Sequence, residues 1–192
     1  MGTDPICVAV PSEEFPVVLD MAPSVVALGK LILAQKLGQQ IPLGWALDKD
    51  GKPTTDPAEG RKGSLLPIGG PKGSGIAMMV ELLAGVLSGA GTATHLHDLY
   101  EFDAPQGVGH FLGAIDVSHF MDPDEFRRRV SAVIAEVHAL KTVEGFNEIL
   151  MPGERGFRSA EERAEAGIDL PDEVCAELNA LGAPHGLQLE KA

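Results

Sequence analysis

The residues best suited to chemistry lie in Gly69-Gly70-Pro71-Lys72-Gly73-Ser74-Gly75. They stand directly before an apolar run, Ile76 to Gly89, that reads as a helix. Unbonded N–H groups and the positive end of the helix dipole attract an anion at such a start. Glycine lets a ligand approach the backbone, and Lys72 adds a full charge. The spacing is neither G-x-G-x-x-G nor G-x-x-x-x-G-K-[ST], so it matches neither standard nucleotide fingerprint. The competing reading is a flexible turn entering a packed helix, and spacing alone favours it. Asp20 closes the apolar run Phe15–Met21, where a carboxylate can cap a turn or bind a ribose hydroxyl. His95-Leu96-His97-Asp98 has donor types that suit a metal. No third ligand set follows at convincing spacing, so the expectation is a mobile or partner-facing loop and no metal. Pro152-Gly153-Glu154-Arg155-Gly156 reads as a charged turn.

These residues need elements to position them. Ile6–Val10 reads as a strand stopped by Pro11, and Phe15–Met21 as a second, buried strand with Pro16 near its start. Pro23-Ser24 opens a helix to about Leu37, closed by Gly38. Residues 39–63 carry turn signals and read mostly as loop, with Trp45 as a packing anchor in a short Gly-Trp-Ala-Leu strand. In the run from Ile76, residues Ile76, Met79, Val80, Leu83, Val86 and Leu87 share one helical face. Glu81 is its only charge. A helix so apolar all round is expected to be buried at the centre of the domain. His110–Asp116 reads as a strand. Asp122-Pro123 starts a helix with Phe126, Val130, Val133, Ile134 and Val137 inward and Arg127, Arg128 and Arg129 solvated. Ser159-x-x-Glu162 reads as a capping box for a short helix ended by Gly167. Pro171 starts a last helix, with Val174, Leu178 and Leu181 inward and Gly182 closing it.

The bulk numbers restrict the function. The 192 residues can bury a sizeable core. A net charge of −13 argues against a nucleic-acid surface and an anionic membrane partner. It leaves open a small anionic ligand beside one local lysine. Cys7 and Cys175 stand far apart, which suits reduced thiols in a cytoplasmic protein. Nothing reads as a signal peptide or membrane span.

Several phrases then fall in a familiar order. They are Gly2-Thr3-Asp4-Pro5, Val18-Leu19-Asp20-Met21-Ala22-Pro23-Ser24, Gly44-Trp45-Ala46-Leu47-Asp48 and Thr54-Thr55-Asp56-Pro57. Leu66-Pro67-Ile68-Gly69-Gly70-Pro71-Lys72-Gly73, Val80-Glu81-Leu82-Leu83-Ala84-Gly85-Val86-Leu87-Ser88-Gly89 and Met151-Pro152-Gly153-Glu154 follow. Through them the chain resembles the malate/L-lactate dehydrogenase family, which also contains ureidoglycolate and sulfolactate dehydrogenases and diketogulonate reductase. The resemblance implies NAD- or NADP-dependent hydride transfer between a 2-hydroxy acid and a 2-oxo acid, in a homodimer. It implies a non-Rossmann α/β (α+β) fold, an antiparallel-rich mixed sheet flanked by helices. An NAD(P)-binding domain would span residues 1–150, and a C-terminal helical segment residues 151–192.

By resemblance, Asp20, Met21 and Ala22 match a cofactor-contacting strand end. Lys72 matches the lysine of the glycine-rich phrase, and Pro152, Gly153 and Glu154 match a third cofactor segment. The resemblance thus moves Lys72 from plain turn to cofactor contact, and Asp20 toward a binding role. The family usually has histidine where Pro71 stands, and proline also removes a backbone donor. The family's catalytic histidine and carboxylate-binding arginine belong to an N-terminal segment that nothing here matches, so no catalytic residue is carried over. The expectation is the cofactor-binding and C-terminal part of a 2-hydroxyacid dehydrogenase. The alternative is a catalytically inactive dinucleotide-binding or interaction module of the same fold.

Overall fold

A computed structural model describes residues 3–97 and 102–189. The chain divides into two compact units. One comprises Met1–Ala9 and Leu19–Pro123, the other Val10–Val18 and Asp124–Ala192. The fold is mixed α/β with small sheets and helices. Strands β1 (Ile6–Val10) and β2 (Val17–Met21) form a two-stranded sheet. In the first unit follow α1 (Leu28–Lys36), β3 (Ala46–Leu47), β4 (Pro53–Thr54), α2 (Pro57–Lys62), β5 (Ser64–Leu65) and α3 (Pro71–Val80). The second unit holds most of α4 (Pro123–His138), with α5 (Glu154–Ala166) and α6 (Asp172–Gly182).

β3 is the central strand of a three-stranded antiparallel sheet in the order β4-β3-β5, with Ala46 opposite both Thr54 and Leu65. Against this sheet sits a small core of Leu31, Ala34, Ile41 and Ala46, flanked by Val26, Trp45 and Leu65. Trp45 is thus the packing anchor that its sequence context suggests. Gly60 of α2 lies against the core so closely that a Cβ there would stand 2.9 Å from Ala46 Cβ and 3.2 Å from Leu31 Cδ2. In the second unit Ile134 of α4 is buried, and the Phe15 and Phe157 rings meet at 6.2 Å.

Several elements differ from the sequence expectation, each for a local reason. β2 is half-exposed, not buried. α1 begins at Leu28 because Pro23–Val26 is held by another segment. Ser24 bridges Pro67, the Val25 N–H donates to Leu66 O at 2.8 Å, and the Ile68 N–H donates to Pro23 O at 2.9 Å. Residues 57–62 are helical, not loop. Asp56 accepts from the Ala58 and Glu59 amides, and Pro57 fills the first helical position. α5 starts at Glu154, so Ser159 and Glu162 lie inside it. Gly153, at φ 86°, makes the turn into the helix. Residues 110–116 form no strand. The apolar helix is not a buried one, for Met79, Leu83, Val86 and Leu87 are exposed. Val174, Leu178 and Leu181 of α6, expected inward, are also exposed. The start of α4 and the closures at Gly38, Gly167 and Gly182 are as the sequence suggests, but Val133 of α4 is exposed and Arg127 half-buried.

With so few buried side chains, the Leu31 cluster dominates the first unit. Leu31→Ala is expected to lower its unfolding free energy by about 3 kcal/mol, and Gly60→Ala by about 1–2 kcal/mol through overpacking. Urea unfolding monitored by Trp45 fluorescence measures both.

Candidate functional site

β2 carries the first candidate segment. Asp20 is exposed at its end, and Met21 and Ala22 are half-buried. Pro23 follows and is buried. Its carbonyl accepts the Ile68 N–H, so the residues after Asp20–Ala22 lie beside those entering the glycine-rich stretch. These two candidate segments are therefore neighbours within the first unit.

The glycine-rich stretch is not a loop before the helix; it is the helix's first turns. α3 begins at Pro71, and Gly69 and Gly70 both take φ 60°, which L side chains resist. Gly73 is buried, and a Cβ there would stand 2.1 Å from Ile68 O. The Ser74 N–H returns to Gly70 O at 3.1 Å. The Lys72 and Gly73 amides make no hydrogen bond among the described residues. Lys72 itself is exposed. Two unbonded donors and an ammonium at a helix start suit an anionic group.

The third segment belongs to the second unit. The Pro152 carbonyl accepts the Val18 N–H at 3.0 Å, which fixes the turn to the first residues of β2. Gly153 is pressed on the same residue, 2.9 Å from Val18 O for an added Cβ. Glu154 is 2% exposed, the one buried charged residue among those described. Its Oε2 accepts the Met151 N–H at 2.8 Å and meets His138 Nε2 at 2.8 Å. Its Oε1 pairs with Arg158, which also reaches Glu148. Burial pushes the Glu154 carboxyl up. The Met151 amide, His138 and Arg158 oppose this, and together they hold it below its ordinary value of 4.5. The carboxylate is thus spent inside the protein, fixing the turn that presents Pro152 and Gly153.

Sequence reasoning gave Glu81 no role beyond being the lone charge of its helix. At Glu81 the α-helix passes into a π-helical turn, Glu81–Val86. π-turns interrupt helices often at functional positions. Glu81 accepts the Ala93 N–H and also meets Asp4. Burial first, then the Glu81 charge and hydrogen bond, raise the Asp4 carboxyl above its ordinary 3.8. The His95–Asp98 motif shows no ligand cluster among the described residues, and Asp98 lies outside them.

Comparison with known proteins gives this architecture a class. It is the architecture of solved hydroxyacid dehydrogenases. The malate dehydrogenase of Entamoeba histolytica superposes with a TM-score of 0.87 at 29% identity, over 97% of this chain and 56% of that one. The sulfolactate dehydrogenase of Methanocaldococcus jannaschii does so with a TM-score of 0.78 at 34% identity, over 96% and 53%. The family model described as malate/L-lactate dehydrogenase matches residues 1–179, and the chain belongs to that family. The malate dehydrogenase of Pyrococcus horikoshii is 36% identical over 196 residues, 98% of this chain and 54% of that protein. The L-sulfolactate dehydrogenase of Methanothermobacter thermautotrophicus is 37% identical over 190 residues, 99% of this chain and 54% of its own. The chain spans about half the length of the curated relatives it matches.

The Glu154 network has a direct consequence for acid stability. A carboxyl held low in the fold contributes stability above its ordinary value, and that contribution is lost as pH falls through the folded value. The second unit is therefore expected to weaken below about pH 4.5. Glu154→Ala is expected to cost about 2–3 kcal/mol at pH 7 and to flatten that acid limb. Urea unfolding followed by circular dichroism at pH 7 and pH 3.5 measures both.

Proposed function

We propose that the chain is the dinucleotide-binding part of an NAD- or NADP-dependent oxidoreductase that acts between 2-hydroxy and 2-oxo acids. The observation that carries this reading is the set of unbonded donors beside exposed Lys72, at a helix start adjoining the Asp20–Ala22 segment. It is a seat for an anionic ligand in a family whose members carry dehydrogenase names. Asp20, Met21, Ala22, Lys72, Pro152, Gly153 and Glu154 are the proposed cofactor-binding residues. Asp20 accepts from ribose hydroxyls. Lys72 and the α3 amides hold phosphate charge. Pro152 and Gly153 contact through backbone, and Glu154 acts by fixing their turn. In this reading residues 1–150 form the NAD(P)-binding domain, and the helical segment 151–192 adds the Pro152–Glu154 turn to it.

The nicotinamide group, when bound, gives or takes the hydride. The relatives include a (2R)-3-sulfolactate dehydrogenase named for NADP(+) and a ureidoglycolate dehydrogenase named for NAD(+), so both dinucleotides are the probes. The substrates are small 2-hydroxy or 2-oxo acids, and the setting is a cytoplasmic homo-oligomer. No helix among the described residues is long and apolar enough to cross a membrane. A second reading is a catalytically inactive dinucleotide-binding or interaction module of the same fold. In neither reading does a residue of this chain take the family's proton-transferring or carboxylate-binding role.

Fluorescence titration of the 192-residue chain with NADH and NADPH tests the reading. Weak saturable binding of one of them is expected, and Lys72→Ala should weaken it at least tenfold, the equivalent of about 1.4 kcal/mol. No saturable binding of either dinucleotide refutes the proposal. The chain alone is expected to turn over neither malate nor lactate. Turnover regained on adding the rest of a family chain excludes the inactive-module reading.

A further inference from the structure

Two helix ends of the second unit meet at one hydrogen bond. His138 is the last residue of α4, and Glu154 is the first of α5. Nε2 of the one stands 2.8 Å from Oε2 of the other. The contact therefore closes the connection between the two helices, residues 139–153, at both ends. The same carboxylate oxygen accepts the Met151 N–H at 2.8 Å, so it joins α4 to the main chain of the turn itself. Arg158 takes the other oxygen, but it stands one turn further along α5 and ties that helix only to Glu148. His138 is thus the partner that reaches the turn from another element.

The imidazole is carried on a helix face that is itself held. Ser131, Ile134, Ala135 and His138 recur at helical spacing on one face of α4. Ile134 is buried, and Ser131 Oγ accepts the Glu13 N–H at 3.0 Å. One face of α4 therefore holds the link between β1 and β2 at one point and the start of α5 at another. Val18 follows that link and donates its N–H to Pro152 O at 3.0 Å. The Pro152–Gly153 turn is clasped between Val18 on one side and the Glu154 carboxylate on the other.

We infer that His138 is a positioning residue for the dinucleotide. It acts through Glu154, keeping the carboxylate where it holds the Met151 amide and so sets the Pro152–Gly153 turn. The inference rests on the dinucleotide reading of that turn. A group that meets its ligand through backbone has no rotamer to adjust, so its precision comes from what supports it. Without His138, Oε2 of the buried carboxylate keeps only the Met151 N–H, and a buried acceptor short of a donor is costly. The turn then loosens to let water reach that oxygen.

The test compares His138→Leu, which removes the donor, with His138→Gln, whose amide N–H restores it without an imidazole. A cleft of about 130 Å³ beside His138, bordered by Ser12, Glu14 and Phe15, gives both side chains room. Amide hydrogen exchange at Val18 reads the docking of the turn with no ligand present. Exchange at Ile134, inside α4, reads the unit as a whole. In His138→Leu, Val18 is expected to exchange at least tenfold faster and Ile134 at the wild-type rate, and NADH or NADPH to bind at least fivefold more weakly. His138→Gln should restore both to within twofold. Wild-type exchange at Val18 in His138→Leu overturns the inference. So does equal acceleration at Ile134, which marks a general structural role, and so does unchanged dinucleotide affinity beside a loosened turn. A Gln variant that behaves like the Leu variant overturns it as well. If the unaltered chain binds neither dinucleotide, it is the dinucleotide reading that fails, and Val18 exchange alone decides whether His138 sets the turn.

Discussion

Two main-chain hydrogen bonds decide where the candidate segments stand. The Ile68 N–H donates to Pro23 O, and the Val18 N–H donates to Pro152 O. Both partners that accept are prolines. Proline has no amide N–H to offer but keeps its carbonyl as an acceptor. At Pro23 the bond closes the residues after Asp20–Ala22 against the entry to α3. At Pro152 it seats the turn before α5 on the first residues of β2. Neither bond uses a candidate side chain, so both segments are held by backbone, and of the candidates Glu154 has its carboxylate spent on Met151, His138 and Arg158.

This explains what was legible in the sequence. Signals made by one residue and its immediate neighbours survive folding. Gly38, Gly167 and Gly182 end helices, and Pro123 and Pro171 mark helix starts. Signals whose meaning depends on a distant partner do not. Pro23-Ser24 has the chemistry of a helix start, but the 66–68 segment takes that backbone first, and α1 is delayed to Leu28. Ser159-x-x-Glu162 has the spacing of a capping box, but Gly153 has already turned the chain into α5. Periodicity in α3 and the π-helical turn identifies an apolar face without saying what covers it. The strand pattern at 110–116 likewise states a capacity to pair, and pairing is a relation between two segments.

The candidate residues follow the same division. Lys72 is legible as a cation before a helix, and it stands exposed in the first turn. Glu154 is legible only as the last member of a motif. Its work is done by His138, sixteen residues earlier on α4, and by Arg158 one turn later on α5. No local spacing reveals the first of these. Glu81 is the converse case. A single charge in an apolar helix was visible, but its contact with Asp4 joins two ends of the first unit and needs the fold.

The global charge then needs reconciling with an anionic ligand. The chain carries −13, yet at physiological salt a surface charge is screened within about 8 Å. What an anion meets at α3 is set within that distance. There stand exposed Lys72 and the Lys72 and Gly73 amides, which make no hydrogen bond among the described residues. Gly73 is pinned against Ile68, and Gly69 and Gly70 are locked in left-handed conformation. Preorganised donors need no reorientation when the ligand arrives, so their attraction is not offset by an ordering cost. The acidic remainder acts at longer range, lowering the rate of encounter with a polyanion more than the strength of the final contact. A net charge of −13 thus opposes a surface that sums many weak phosphate contacts far more than it opposes the proposed local contact of a small anion with Lys72.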